Sequence, residues 1–200
     1  MVSLFAAFAL LGGAVAVSNT ASAQDLVINE LNLVTGPETG QFVELYGAPD
    51  TPLDGHTLVV VKSAFQDGAW VAQTQATVDL NGQALDGSGF LALEGEGWQS
   101  TLAGVVLAAS QATDFEVDTP PVFGDMVDAV LYGNTSVTNP QMAAIVAAIN
   151  PDAEATVYEG GEGVSAGSDG LSRVPDGGES FDQAFVMQAL SPGSTNVLPC

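Results

Sequence analysis

LVINELNLVTGPETGQFVELY, residues 26–46, is the stretch of sequence that decides the fold. Two apolar-rich runs flank the segment 35–40, which contains two glycines and a proline, and this arrangement predicts a β-hairpin. Each run carries a glutamate among residues typical of a strand core, Glu30 in the first and Glu44 in the second. Because a buried carboxylate is costly unless it is paired or hydrogen-bonded, the hairpin predicts polar partners elsewhere in the chain.

The composition sets the broad class of protein. The chain has 200 residues, 46 % of them hydrophobic, which is enough for one domain with a core. Its 24 acidic residues face only two cations, Lys62 and Arg173, for a formal net charge of −22. Such a field repels phosphate backbones, so the charge argues against nucleic-acid binding. The acidity is consistent either with solvation in salty surroundings or with binding of divalent cations.

The N-terminal segment has the features of an export signal. A 14-residue apolar run at 4–17 is followed by an A-x-A pattern ending at Ala23. This predicts a signal peptide over residues 1–23 and a mature domain over 24–200, secreted or held at the cell surface or in the periplasm, with no membrane span after cleavage. An uncleaved anchor helix is the alternative. Cys200 is the only cysteine, so no intrachain disulfide can form, although it could pair between chains.

The rest of the chain has the pattern of short strands separated by turns. Residues 70–80 alternate with period two, and Asn-Gly and Asp-Gly dipeptides mark turns. One segment, 141–149, consists largely of good helix formers after an Asn-Pro start. We therefore expect an all-β antiparallel sandwich with one short helix. Further strands are expected at 57–61, 90–93, 104–109, 114–118, 126–132, 155–158 and 184–188, with a loop or bulge at 62–69 and a loop at 170–178.

An ordered set of short motifs resembles a known family. The motifs are V-I-N-E at 27–30, F-V-E-L-Y at 42–46, P-L-D-G-x-T-L at 52–58, D-A-V-L-Y at 128–132, L-S-R-V-P-D-G at 171–177 and P-G-x-x-N at 192–196. In order and spacing they resemble the bacterial branch of the lamin-tail domain family, over residues 25–196. The resemblance implies an immunoglobulin-like β-sandwich that is exported, alone or joined to secreted nucleases or phosphoesterases. It also implies a binding, tethering or structural role without catalysis. His56 departs from the pattern, since relatives carry a tryptophan in that turn.

The lone arginine is the expected partner of the hairpin glutamates. We predict that Arg173 reaches into the sandwich and forms a bidentate pair with Glu44 or Glu30, because its planar guanidinium matches a carboxylate that burial would otherwise leave unpaired. The alternative is that all three side chains are exposed and unpaired. In either case their role is structural.

Candidate catalytic and metal sites are weak. His56 is the only histidine, and no serine lies in a G-x-S-x-G motif, so the sequence predicts a protein that is not an enzyme. No metal or cofactor is predicted. Calcium is a minor alternative, with Asp114, Glu116 and Asp118 as ligands if they share one face of a strand, although the EF-hand pattern is missing. The acidic loop with Glu159, Glu162 and Asp169 is a second minor candidate.

These observations predict an exported, non-enzymatic binding or structural module of lamin-tail type. Its partner would be an extracellular protein or a polysaccharide. An accessory subunit of a secreted hydrolase system is the first alternative, and a calcium-dependent adhesion module is the second.

Overall fold

A computed structural model of the chain describes residues 25–33, 40–98, 102–133, 139–149, 169–177 and 185–197. The predicted export signal at 1–23, the expected strand at 155–158, the acidic residues Glu159 and Glu162, and Cys200 lie outside the described residues.

The described strands form two antiparallel sheets that pack face to face as a β-sandwich. The first sheet has five strands in the order β5-β2-β1-β8-β9, and the second has four in the order β4-β3-β6-β7. The strands are β1 Val27–Asn32, β2 Gln41–Tyr46, β3 Thr57–Gln66, β4 Ala69–Asp79, β5 Phe90–Gly95, β6 Leu102–Ala108, β7 Met126–Gly133, β8 Asp169–Arg173 and β9 Phe185–Ala189. The predicted all-β sandwich with one helix is confirmed.

The predicted hairpin forms the centre of the first sheet. β1 and β2 pair antiparallel, with Glu30 directly opposite Glu44. The register shifts between Ile28 and Glu30, so Asn29 is the extra residue of a β-bulge. Nearly all residues of both strands are buried, which means that both faces of this hairpin are covered.

The core of the sandwich consists of two apolar layers. The first lies between the sheets and includes Ile28, Leu45, Leu58 and Val105. The second lies between the four-stranded sheet and helix α1, Pro140–Ile149. The helix sits close to β6 because Gly104 has no side chain, and a Cβ atom there would approach Ile149 Cδ1 to 2.2 Å.

Three local expectations were wrong. β3 and β4 continue through the expected loop or bulge at 62–69 and pair up to Gln66 and Ala69, because Asp67 and Gly68, both with positive φ, form a two-residue hairpin turn. The expected strand at 114–118 is instead a short 3₁₀ turn, Ala112–Asp114, followed by a loop. The expected loop at 170–178 contains β8, which fills the sheet between β1 and β9.

In the part of the chain that the structure describes, no helix has both the length and the apolar character needed to cross a bilayer.

Candidate functional site

Arg173 forms a buried ion pair between the two sheets. Its Nη2 atom lies 2.9 Å from Asp128 Oδ2, and neither side chain has exposed surface. Its Nε atom donates to the carbonyl of Ile28 at 3.1 Å, and its guanidinium lies 4.6 Å from the centre of the Phe185 ring. Asp128 Oδ2 also accepts from the Ile28 amide at 2.9 Å. The ion pair therefore satisfies both backbone groups of Ile28, beside the bulge in β1.

The partner of Arg173 thus differs from the prediction. The expected burial of Arg173 is correct, but among the described residues its ion pair is with Asp128 and not with Glu30 or Glu44. The reason is the period-two alternation of a strand. Ser172 lies opposite Glu30 in the β1–β8 pairing, so Arg173, one residue later, points to the opposite face of the sheet.

The two glutamates lie on the outer face of the five-stranded sheet. Together with Asp176 they form a group that we call the outer carboxylate cluster. It is covered by residues 190–197, here called the C-terminal strap. Backbone amides of the strap donate to each carboxylate: Ser191 N to Glu30 at 3.0 Å, Gly193 N to Glu44, and Asn196 N to Asp176 at 3.0 Å.

Asn29 links the cluster internally. Its Nδ2 atom lies 3.0 Å from both Glu44 Oε1 and Asp176 Oδ1, and its Oδ1 atom accepts from the Gly177 amide at 3.1 Å. Glu30 also accepts from the Ser172 hydroxyl at 2.6 Å. The bulge that places Asn29 out of the regular pairing is therefore what lets one amide bridge two carboxylates.

Burial changes the protonation of this cluster. Desolvation raises the pKa of Glu44 to about 7, while hydrogen bonds from Asn29 and Gly193 act in the opposite direction. Desolvation also raises the pKa of Glu30, and there too hydrogen bonds oppose it. Each of these groups also feels the charge of Asp176, which raises both pKa values.

The geometry makes these glutamates part of the scaffold. Glu30 and Glu44 have 0 % exposed surface, so a substrate cannot reach them while the strap is in place. Their described hydrogen bonds run to the strap and to neighbouring strands. The pair therefore fastens the strap to the sheet.

The minor calcium candidates are not brought together. Asp114 accepts from the Gln111 amide at 3.1 Å, Asp118 pairs with Lys62, and Glu116 is exposed in the loop between them. Among the described residues, no group of three or more acidic, histidine or cysteine side chains is arranged to hold a metal ion.

His56 occupies the turn before β3. Its amide donates to Leu53 and its carbonyl accepts from Leu80. Its Nδ1 atom is buried without a hydrogen-bond partner among the described residues. His56 thus lies, half-buried, in the turn where the resemblance implied a tryptophan.

An open groove lies on the outer face of β2 and β5, beside the strap. Its volume is about 680 Å³, within the range of ligand-binding clefts. Its described lining combines apolar side chains with two glutamates of β5 and the bend after it. The lining residues are Gly40, Gln41, Phe42, Ala92, Glu94, Gly95, Glu96, Leu190 and Pro192.

Two contacts hold the walls of the groove. Gln41 joins both backbone groups of Trp98: its Oε1 atom accepts from the Trp98 amide at 2.8 Å, and its Nε2 atom donates to the Trp98 carbonyl at 2.9 Å. The Trp98 ring lies on Gly95, where a Cβ atom would approach it to 2.2 Å. On the other side, Pro192 lies between Ser191 and Gly193, whose amides bind Glu30 and Glu44. The groove is therefore preformed.

Sequence reasoning missed both Asp128 and the groove. Asp128 lies two residues from Val130, which belongs to the apolar layer between the sheets. Side chains two residues apart in a strand point to the same face, so this spacing would have predicted that Asp128 faces the core. The outer face of β2 carries Phe42 and Glu44, which would have predicted that another segment covers this face. Nothing in the sequence shows how much of the sheet the strap covers.

No protein-family model matches the chain, and neither the curated proteins nor the solved structures include a significant match.

Proposed function

We propose that this protein is an exported, non-enzymatic binding module of lamin-tail, immunoglobulin-like type that holds a partner in the groove beside the C-terminal strap. The groove carries the proposal, because it combines a preformed apolar concavity with charged groups at its rim. The setting is the cell surface, the periplasm or the medium, in keeping with the N-terminal segment at 1–23.

The arrangement of carboxylates supports a binding role over a catalytic one. The carboxylates with raised pKa values, Glu30 and Glu44, are buried under the strap. The acids that solvent can reach in the groove are Glu94 and Glu96. The carboxylates whose pKa values are shifted are therefore not the ones that a substrate can reach, whereas catalysis requires both properties in the same group.

The test is a binding screen with a matched variant. The mature domain is immobilised and exposed to polysaccharide, cell envelope and secreted proteins of its own source, at low and at high salt. A second column carries Ala92→Trp, which fills the groove from an exposed position on β5. We expect a component that the wild-type column retains and the Ala92→Trp column loses.

A thermal melt of Ala92→Trp serves as the control for folding. Equal retention on both columns, or no retained component at either salt concentration, would overturn the proposal. Hydrolysis of a retained component that depends on the groove would show an enzyme instead.

A further inference from the structure

We infer that the groove takes an extended, cationic peptide segment of another protein, with lysine or arginine at alternate positions. This rests on the proposed function and names the chemical class of its partner. The strap determines which part of the sheet stays open. Leu190 lies over Gly170 of β8, Ser191 binds Glu30 of β1, and Gly193 binds Glu44 of β2. The strap thus crosses three strands and does not cover the outer face of β5, where the groove lies.

The charges of the groove select the sign of the partner. Glu94 and Glu96 are exposed at its rim, and the described lining contains no cation. Phe42, Leu190 and Pro192 supply an apolar surface next to them. A lysine or arginine side chain has both matching parts, an aliphatic stem and a charged head.

The chain itself cannot supply such a group. Its only two cationic side chains are Lys62 and Arg173. Lys62 is paired with Asp118, and Arg173 is fully buried against Asp128. Neither another segment of this chain nor a second copy therefore offers a free lysine or arginine to the groove, and two copies repel each other through a net charge of −22 each. The complementary charge must come from a different molecule.

The strand geometry favours an extended peptide. β5 is an edge strand of the five-stranded sheet as described, and its outward-facing residues Ala92 and Glu94 line the groove, so an extended peptide can lie along this strand. Glu94 in β5 and Glu96 in the bend directly after it are two positions apart in the chain, and both line the groove. Alternate side chains of an extended peptide lie on one face, roughly 6.6 Å apart. A segment with cations at alternate positions can therefore present all of them to the two glutamates, whereas contiguous cations point to both faces.

The experiment uses Trp98 as a local reporter. Trp98 lies on Gly95 in the groove wall, and the second tryptophan, Trp70, is replaced in the background variant Trp70→Phe. The probe is the blocked peptide Thr-Lys-Val-Lys-Val-Lys-Thr, titrated into the mature domain. A peptide of equal composition with contiguous lysines, Val-Thr-Lys-Lys-Lys-Thr-Val, is the comparison. We expect saturable binding of the first peptide and at least fivefold weaker binding of the second.

Two double variants with the same change of net charge locate the binding. Glu94→Gln with Glu96→Gln removes the acids of the groove, and Asp67→Asn with Glu116→Gln removes two exposed acids that do not line it. We expect at least tenfold weaker binding for the first and less than a twofold change for the second. Equal weakening by both, or binding that neither changes, would overturn the inference.

The two proposals fail in different ways. If Ala92→Trp loses a natural partner while the alternating peptide does not bind, the groove is a binding site for another class of molecule and only the inference fails. If Ala92→Trp leaves all binding unchanged, the proposed function fails.

Discussion

Asp128 and the glutamates of the outer cluster are all fully buried carboxylates. They belong to different sheets, lie on opposite sides of the five-stranded sheet, and are stabilised differently. Asp128 lies between the sheets and is paired with Arg173. Glu30 and Glu44 lie under the strap, where their described hydrogen-bond donors are amides and a hydroxyl, with the carboxylate of Asp176 nearby. A cation compensates one buried charge, while the other two are held by neutral donors. We expect the first site to dominate stability and the second to make stability depend on pH.

The largest expected effect comes from removing the cation. Arg173→Ala leaves Asp128 buried without its counter-charge, and we expect the free energy of unfolding to fall by about 3–5 kcal/mol. Urea unfolding measures this loss. Lys62→Ala is the control, because it removes the more exposed pair with Asp118 and should change stability by no more than about 1 kcal/mol.

A double-mutant cycle distinguishes the partner of Arg173. Asp128→Asn combined with Arg173→Met should be less destabilising than the sum of the single changes, whereas Glu44→Gln with Arg173→Met should be close to additive. Coupling between Arg173 and Glu44, with none to Asp128, would show that the pairing described above is wrong.

The next effect is the pH dependence that the outer cluster introduces. The pKa of Glu44 is about 7 in the folded protein against 4.5 as its ordinary value, so between these pH values the folded chain binds more protons than the unfolded one. Its contribution to stability is therefore full below pH 4.5 and is lost as the pH rises through 7, by an amount on the order of 2–3 kcal/mol. Glu30 contributes in the same direction.

Urea unfolding from pH 4.5 to 8 measures this slope, with Glu44→Gln expected to flatten it. Because repulsion among surface acids gives a slope of the same sign, the series is run in about 1 M salt, where the Debye length is about 3 Å. A slope that is unchanged in Glu44→Gln would contradict the assignment.

A smaller effect is expected at Ser172. Its hydroxyl donates to Glu30 at 2.6 Å, in a fully buried position. Ser172→Ala removes a donor that holds the carboxylate, so we expect a loss of about 1–2 kcal/mol at pH 8. The loss should shrink toward pH 4.5, where Glu30 is increasingly neutral. A loss of equal size at both pH values would mean that the serine contributes through packing alone.

The smallest effect is expected for the exposed acids of the groove. Glu94→Gln with Glu96→Gln should leave the free energy of unfolding within about 0.5 kcal/mol of wild type, because both side chains are exposed. Thermal and urea unfolding test this. A large loss would mean that these residues belong to the scaffold, as Glu30 and Glu44 do, and not to a binding surface.

Much of the fold follows from local patterns, and the errors have identifiable causes. The hairpin, the helix and the antiparallel class were predictable because alternation and turn residues act over a few positions. β8 was missed because residues 169–173, DGLSR, look polar, yet the strand is stabilised by neighbours on both sides. The expected strand at 114–118 failed because alternation alone does not provide a pairing partner, and Asp114 instead closes a 3₁₀ turn.

The sequence by itself determined the antiparallel β-sandwich, and it favoured the burial of Glu30, Glu44 and Arg173, because a carboxylate in an apolar strand and a lone arginine can compensate each other. Only the tertiary structure decided which groups meet. A one-residue step in a strand reverses the face of a side chain, so Ser172 and not Arg173 reaches Glu30. The bulge at Asn29 and the path of the strap are properties of distant segments packed together. They determine that Arg173 binds Asp128, that the glutamates hold the strap, and that a groove stays open on β5.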